Sequence, residues 1–464
     1  MRMMRQLMWK ANTRERRWNA RMVLFGIFLC LYFVLLCYLS SRKTLADNFF
    51  PDEGRRLKLP MFFFEHGYLP TGYEDSVRME DWGFSYANYP LMLSTLIGGV
   101  FMKVVGWFTA DPNKIILGAR MVSILSAVGF AFFAIKAAEL VFRKPFGYLF
   151  AALILFMPQF VFLGLYFNND MLALFGSSMI FYAWISAYRD KWNWKNALLL
   201  AFGISVVALA YYNAYSWILL SIIVYFLIWH NQSKDFSFLR NRVFYRLTAL
   251  IVVVVLLVAG SFFIRAAVIN HGDIFGFSTV SMMRERYGGE NFRPEVRPTP
   301  QKSGLSMLDM VIHGYYGADE GWLVSTCRSF IGVLGTMTVR LPVYVYAFYA
   351  AIIAVGCVAY AYSAVRQTVK GVRDASAWII DAVMLLNIVI VTMLALRYSY
   401  STDYQPQGRY IMPMVLSLMY FVVSGWDHVC ATVCKSGKET QYGFVGLLTG
   451  SCATILLASF SAAL

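Results

Sequence analysis

Three short polar words interrupt a strongly apolar chain. The first is Pro51-Asp52-Glu53. Two adjacent carboxylates can take a proton from a hydroxyl and orient the group that gives it, although Pro-Asp-Glu is also ordinary turn chemistry. The second is Tyr166-Phe167-Asn168-Asn169-Asp170. Asn and Asp at a helix start cap free backbone N–H groups; alternatively Asn169 and Asp170 line a cavity shared with Asp52. The third is Gln407-Gly408-Arg409-Tyr410. A guanidinium holds a phosphate in bidentate fashion. Arg409 is the better cation for this, set in a Gly turn beside a Tyr-rich loop, with Asp403 as candidate partner. Gln407 and Tyr410 then belong to the same binding surface. Arg120 and Arg397 are helper candidates for that phosphate, or plain helix-end anchors. A further acidic pair, Asp319 and Glu320, stands beside Trp322, and carboxylates next to aromatic rings suit sugar binding. Arg284, Arg286, Arg293 and Arg297 form a basic stretch that reads as a contact for anionic lipid or substrate, or as a solvated loop.

The elements that must position these words are membrane helices. Of 464 residues, 59% are hydrophobic and 14% charged, with a mean hydropathy of +0.56. Soluble proteins run at roughly 45–50% and about 25%, so a soluble enzyme, a disordered chain and a disulfide scaffold are excluded. The net charge of +15 is explained by basic residues gathered on the cytoplasmic side of a membrane rather than by nucleic acid. The seven cysteines form no disulfide framework, and His428, Cys430 and Cys434 resemble a metal cluster only faintly.

A span needs about 20 apolar residues. Eleven runs qualify: 22–41, 120–141, 148–166, 171–187, 197–211, 216–230, 247–265, 342–364, 377–396, 411–427 and 442–462. The first is too long for a cleaved signal and lacks a small-residue cleavage site before Arg42 and Lys43. The run 90–107 is decided by charge. The N-terminus carries Arg2, Arg5, Lys10, Arg14, Arg16, Arg17 and Arg21 and is expected inside. If 90–107 does not cross, the other basic links fall inside too: Arg143 with Lys144, Lys191 with Lys195, Lys234 with Arg240, Arg366 with Lys370, and Lys435 with Lys438. We therefore read 90–107 as an in-plane helix at the outer interface, tipped by Trp82, Tyr86, Tyr89 and Trp107. Outer loops follow at about 43–119, 266–341 and 397–410. Loops this long are usually functional, and 304–316 has apolar residues at helical spacing, as a segment on the membrane would. No internal repeat, GxxxxGK loop, dinucleotide fingerprint or serine nucleophile elbow is present.

An N-in first helix, a long outer loop opening with Asp-Glu, and an in-plane helix led by a Pro motif resemble the GT-C membrane glycosyltransferases, including the protein O-mannosyltransferases and the lipid A aminoarabinose transferase. Ala119-Arg120 with Ser123, Phe142-Arg143-Lys144 and the outer Asp170 fit that pattern. The order Pro-Asp-Glu, Asn-x-Asp, Ser-Phe-x-Gly-x-x-Gly (329–335) and Gln-Gly-Arg-Tyr is similar to a family of bacterial membrane glycosyltransferases known from sequence, over about 360 residues. The Pro motif departs from it: Asn88-Tyr89-Pro90-Leu91 lacks the double proline of the mannosyltransferases. The resemblance implies an all-α polytopic enzyme of the bacterial inner membrane. It would move a sugar from a polyprenyl-phosphate carrier to a glycan or lipid acceptor on the outer face, with membrane lipids and no nucleic acid as partners. Asp52 is then the base, Glu53 its partner, Asp170 a cavity residue and Arg409 the phosphate ligand. No cofactor is expected; a divalent cation between Asp52 and Asp170 stays open, and the family does not require one. The domain reading is a basic tail (1–21), a catalytic module (22–265), loop two (266–341) and C-terminal helices (342–464). The competing readings are a polysaccharide polymerase or ligase using a diphosphate-linked glycan, and a lipid-linked sugar flippase. A flippase would carry mid-membrane charges on broken helices; here the charged words gather at the expected outer surface.

Overall fold

A computed structural model describes residues 2–233, 235–373, 375–433 and 437–464, with side chains from Arg21 onward except at 375, 376 and 433. The basic side chains of the N-terminal tail before Arg21, and Lys234, Cys434 and Lys435, lie outside the described residues. The described residues are mostly helical, with almost no sheet. The chain starts with α1 (Arg2–Ser41), α2 (Glu53–His66), α3 (Leu93–Gly106), α4 (Pro112–Val141), α5 (Phe146–Leu155) and α6 (Pro158–Leu163). It continues with α7 (Asp170–Asp190), α8 (Trp194–Ala208), α9 (Tyr215–Ser233), α10 (Arg242–Val255) and α11 (Ser261–Ile269), the last two joined by a π-turn. Short helices α12 (Phe277–Tyr287), α13 (Met307–His313) and α14 (Trp322–Gly332) precede the two-residue strands β1 (Val333–Leu334) and β2 (Val339–Arg340). The strands pair antiparallel, Val333 opposite Arg340. Helices α15 (Val343–Val369), α16 (Ala375–Ser401), α17 (Val415–His428) and α18 (Lys438–Ala463) complete the chain.

Among the described residues, nine helices are long and apolar enough to cross a membrane. The protein is a multi-pass membrane protein. Two of the eleven expected spans are not among these nine. The run 148–166 is not one helix: α5 stops at Leu155 and α6 starts at Pro158, because a proline has no N–H to continue the ladder and its ring disfavours helix before it. The run 197–211 is the 15-residue α8. The run 90–107 contains the helix α3 (Leu93–Gly106). Its 14 residues rise about 21 Å, short of the roughly 30 Å hydrocarbon core. Trp107 at its end is exposed. Trp82 does not tip it, being packed between the guanidinium groups of Arg284 and Arg297.

Close approach and polar bonds tie the helices together. A Cβ on Gly425 of α17 would lie 1.8 Å from the Gly356 carbonyl oxygen of α15, so only glycine permits that crossing. Buried Asn387 of α16 accepts from Ser216 Oγ of α9 at 2.7 Å and donates to Ser417 Oγ of α17 at 2.9 Å. The two long loops form one cap at a single end of the bundle. Asn270 Nδ2 donates to the Asn88 carbonyl at 2.8 Å, Gly289 N–H to the Asp81 carbonyl at 3.0 Å, and Arg265 to the carbonyls of Leu69 and Pro70. Within the cap, 304–316 forms α13, with Leu308 and Ile312 exposed.

Candidate active site

Asp52 and Glu53 are neighbours with opposite surroundings. Asp52 takes the left-handed conformation at φ 59° and ends the turn that starts α2. Glu53, one residue on, is already helical, and its carboxylate is sealed. Arg120 Nε donates to Glu53 Oε1 at 2.8 Å and Arg120 Nη2 to Oε2 at 2.7 Å. The Phe167 N–H adds a third bond, at 2.8 Å. Arg120 Nη1 donates to the carbonyls of Ser40 and Lys43, both at 2.8 Å, and the guanidinium lies over Phe50. Only 2% of the Arg120 side chain and 1% of that of Glu53 is exposed. This knot joins α1, α2, α4 and the turn before α7. Its geometry corrects two expectations: Arg120 has no free fork for a phosphate, and Glu53 is turned away from Asp52.

Asp52 faces a different set. Arg409 Nη2 donates to Asp52 Oδ2 at 2.8 Å, and Arg55 Nη1 stands 3.6 Å from Oδ1. Arg56, one turn along α2, lies over the Tyr86 ring and exerts its charge on both Asp52 and Asp170. Burial alone would raise the Asp52 carboxyl, but Arg409, Arg56 and Arg55 outweigh it and hold the group below the usual carboxylate range. Asp170 opens α7 and is buried beside Arg409 and Arg56. Tyr166, Tyr211 and Tyr410 enclose the centre, with Tyr211 and Tyr410 at 6.4 Å. Four buried polar atoms there have no hydrogen-bond partner: Arg56 Nε, Arg409 Nε, the Tyr166 hydroxyl and Asp170 Oδ2. Buried polar groups are almost always paired. Three unpaired donors and one unpaired acceptor gathered in one place are complementary to an oxyanion that also carries or adjoins a hydroxyl.

The remaining words support this centre from behind. Gly408 N–H donates to Ser329 Oγ at 2.6 Å, and a Cβ on Gly408 would sit 2.0 Å from the Phe330 backbone nitrogen. The Ser-Phe word and the Gln-Gly-Arg word are therefore in backbone contact, which fixes where Arg409 emerges. A narrow crevice beside Arg409 is lined by Pro51, Gln159, Phe162 and Gln407. Trp322 is buried and donates to Ser399 Oγ at 2.9 Å, bracing the same region. Asn169 accepts from Ser94 Oγ of α3 at 2.6 Å, while Asn168 supplies the helix cap by accepting the Met171 N–H.

Several candidates lie elsewhere. Asp403 pairs with Arg297 and not with Arg409, so Arg297 is no solvated loop cation. Glu320 pairs with Arg328, and exposed Asp319 lies 3.3 Å from Arg340; both stay within loop two. Arg397 is exposed, with no ion pair among the described residues. No group of three or more His, Cys, Asp and Glu with metal-holding geometry occurs among the described residues. The charges that face Asp52 and Asp170 are guanidinium groups. Sequence reasoning missed Arg56 and Ser94, and gave Tyr86 to the tip of the 90–107 helix rather than to this centre. Arg56 carries a legible signal, since it stands four residues after Asp52 and so falls on its face of the helix; Ser94 carries none.

With this geometry in hand, the chain can be set against known proteins. Its fold is the GT-C fold, seen in the oligosaccharyltransferase of Archaeoglobus fulgidus in its apo form, at a TM-score of 0.50 and 11% identity. That match covers 93% of this chain, which spans 56% of the oligosaccharyltransferase. The chain is also similar to ArnT from Cupriavidus metallidurans bound to undecaprenyl phosphate, at a TM-score of 0.39 and 15% identity, covering 88% of this chain and 77% of that one. No protein-family model and no curated protein sequence matches.

Proposed function

We propose that the protein is an inverting glycosyltransferase of the bacterial inner membrane, acting on the outer face. It takes a sugar from a polyprenyl-phosphate carrier and passes it to a cell-envelope glycan or lipid. The observation that carries this reading is the Asp52–Arg409 pair facing Arg56, Asp170 and Tyr166, with four unpaired polar atoms among them. The two arginines hold the phosphate of the donor, the Tyr166 hydroxyl gives it a third bond, and Asp170 accepts from a sugar hydroxyl. Asp52 is the base. Its Oδ1 has no bonded partner closer than Arg55 at 3.6 Å, and its side chain is 26% exposed, so an acceptor can reach it. The acceptor oxygen attacks the anomeric carbon as its proton passes to Asp52. The carbon–oxygen bond to the phosphate breaks, and the electron pair leaves with the phosphate onto Arg409 and Arg56. A lipid phosphate is a good leaving group, so no acid is needed. One in-line displacement inverts the anomeric centre, unlike the two-step retaining scheme.

The test uses purified full-length protein in liposomes with labelled polyprenyl-phosphate sugars and crude envelope glycans, wild type beside Asp52→Asn. Transfer by wild type alone supports both the reaction and the base. Transfer by both keeps the reaction and moves the base to Asp170. Transfer by neither, but from a diphosphate-linked glycan, replaces this reading with a polymerase or ligase. Lipid scrambling without transfer replaces it with a flippase.

A further inference from the structure

We propose that a second cleft, between the two outer loops, binds the neutral glycan portion of the acceptor; this rests on the transfer reading above and adds to it a substrate class. The cleft has a volume of about 740 Å³ and lies where the outer end of α11 meets α12. That is within the roughly 300–1,000 Å³ of small-ligand sites. Its lining excludes most ligands by charge. No lysine or arginine lines it, and its one basic side chain is the exposed imidazole of His271, so there is no fixed cation for a phosphate or a carboxylate. Its single carboxylate, Asp273, is spent on the fold: Oδ1 accepts the Gly276 N–H at 3.0 Å and Oδ2 the Thr279 N–H at 2.8 Å. That leaves no acidic cage for a cation.

What remains is a mixture of rings and neutral hydrogen-bonding groups. Tyr73 and Phe275 expose ring surface, Met282 exposes a flexible apolar side chain, and Ser278 offers a hydroxyl from the same side of α12. Rings cover the apolar faces of sugars, and neutral amides and hydroxyls meet their hydroxyl groups. Asn270 supplies an independent sign. It is only 5% exposed, lines the cleft, and donates from Nδ2 to the Asn88 carbonyl, yet its Oδ1 has no partner. An unpaired buried acceptor calls for a donor, and a sugar hydroxyl is one.

The position fits an acceptor. The bond from Asn270 ends on the turn Tyr86–Asn88, and Tyr86 on that turn carries Arg56 against its ring. One turn of chain thus separates the cleft from the catalytic carboxylates. A glycan held by its distal residues in the cleft would present its end towards Asp52.

The experiment uses the full chain in liposomes. Ser278→Trp fills the cleft from an exposed position outside the catalytic centre, with Ser278→Ala as control. The expected result is an acceptor KM raised by about tenfold or more, with the donor KM unchanged; equal acceptor KM values for Ser278→Trp and wild type overturn the proposal. A second arm needs no turnover. A benzophenone amino acid replaces Met282, the protein is irradiated with crude envelope glycan in phospholipid vesicles, and the adduct is weighed. A hexose-bearing adduct supports the cleft; a phospholipid adduct, or none, overturns it. A glycan adduct on a protein that transfers from no donor would keep the cleft and sink the transferase reading instead.

Discussion

Two arginine–carboxylate pairs begin at adjacent residues, and they differ in what is left over. At Glu53–Arg120 both carboxylate oxygens and the guanidinium are spent on bonds that join α1, α2, α4 and the turn before α7. At Asp52–Arg409 one bond is made, and Arg409 Nε, Arg56 Nε, Asp170 Oδ2 and the Tyr166 hydroxyl stay unpaired. The first pair is a clamp; the second keeps hydrogen-bonding capacity to spare. Burial does not separate them, since Arg120 and Arg409 are both buried. The difference lies in unsatisfied hydrogen-bonding capacity, which costs free energy until something fills it.

The comparison can be broken by exchanging losses. Asp52→Asn is expected to lower transfer by about 10²–10⁴-fold, the usual contribution of a general base; steady-state kinetics on the folded fraction check it. Arg120→Ala is expected to do the reverse. Leaving Glu53 buried without its partner costs about 3–5 kcal/mol, seen as lost folded protein in detergent, while each folded molecule keeps its turnover. Replacing both members together, Arg120→Met with Glu53→Leu, should recover part of that stability, the rest being lost with the partners of the Ser40 and Lys43 carbonyls and the Phe167 N–H. A clamp that also catalysed would not regain activity with stability.

The same contrast has a pH form. Asp52 is held below the usual carboxylate range by Arg409, Arg56 and Arg55 against its burial. Its contribution to stability is therefore present above the unfolded carboxyl value of about 3.9, and is lost as pH falls through the lower folded value. Transfer should hold its rate through the mildly acidic range and fall only below about pH 4. A pH–rate profile that drops near pH 6–7 would assign the base to another group. The smallest effects are expected from residues outside both pairs. Asp319→Asn and Arg397→Gln should each leave kcat/KM within about twofold, as surface changes usually do.

Apolar runs made the helical membrane architecture and the short helix α3 legible. The break at Pro158 was hidden because the residues on either side, 146–155 and 159–163, are as apolar as an unbroken span. The polar words were legible as residues but not as pairs. Asp403 looked like the partner of Arg409 because it is near in sequence; the actual partners, Asp52 for Arg409 and Arg297 for Asp403, are 357 and 106 residues away. Such pairing is set by how helices assemble, which no local pattern records. Glu53 and Asp52 could not be told apart either, since what divides them is one left-handed residue at the start of α2.

The distance between Asp52 and Arg409 also sets a schedule. The chain must lengthen by 357 residues after Asp52 before its counter-ion exists. At about 5–20 residues per second that is on the order of 20–70 s of synthesis. Through that interval Arg55, 3.6 Å from Asp52 in the finished fold, is a basic neighbour already available to the carboxylate. The Glu53 clamp, whose partner Arg120 lies only 67 residues downstream, can close much earlier. The protein would build its frame while its proposed reactive centre is still incomplete, and a ribosome that stalls before residue 409 would leave the Glu53 clamp closed with no finished site.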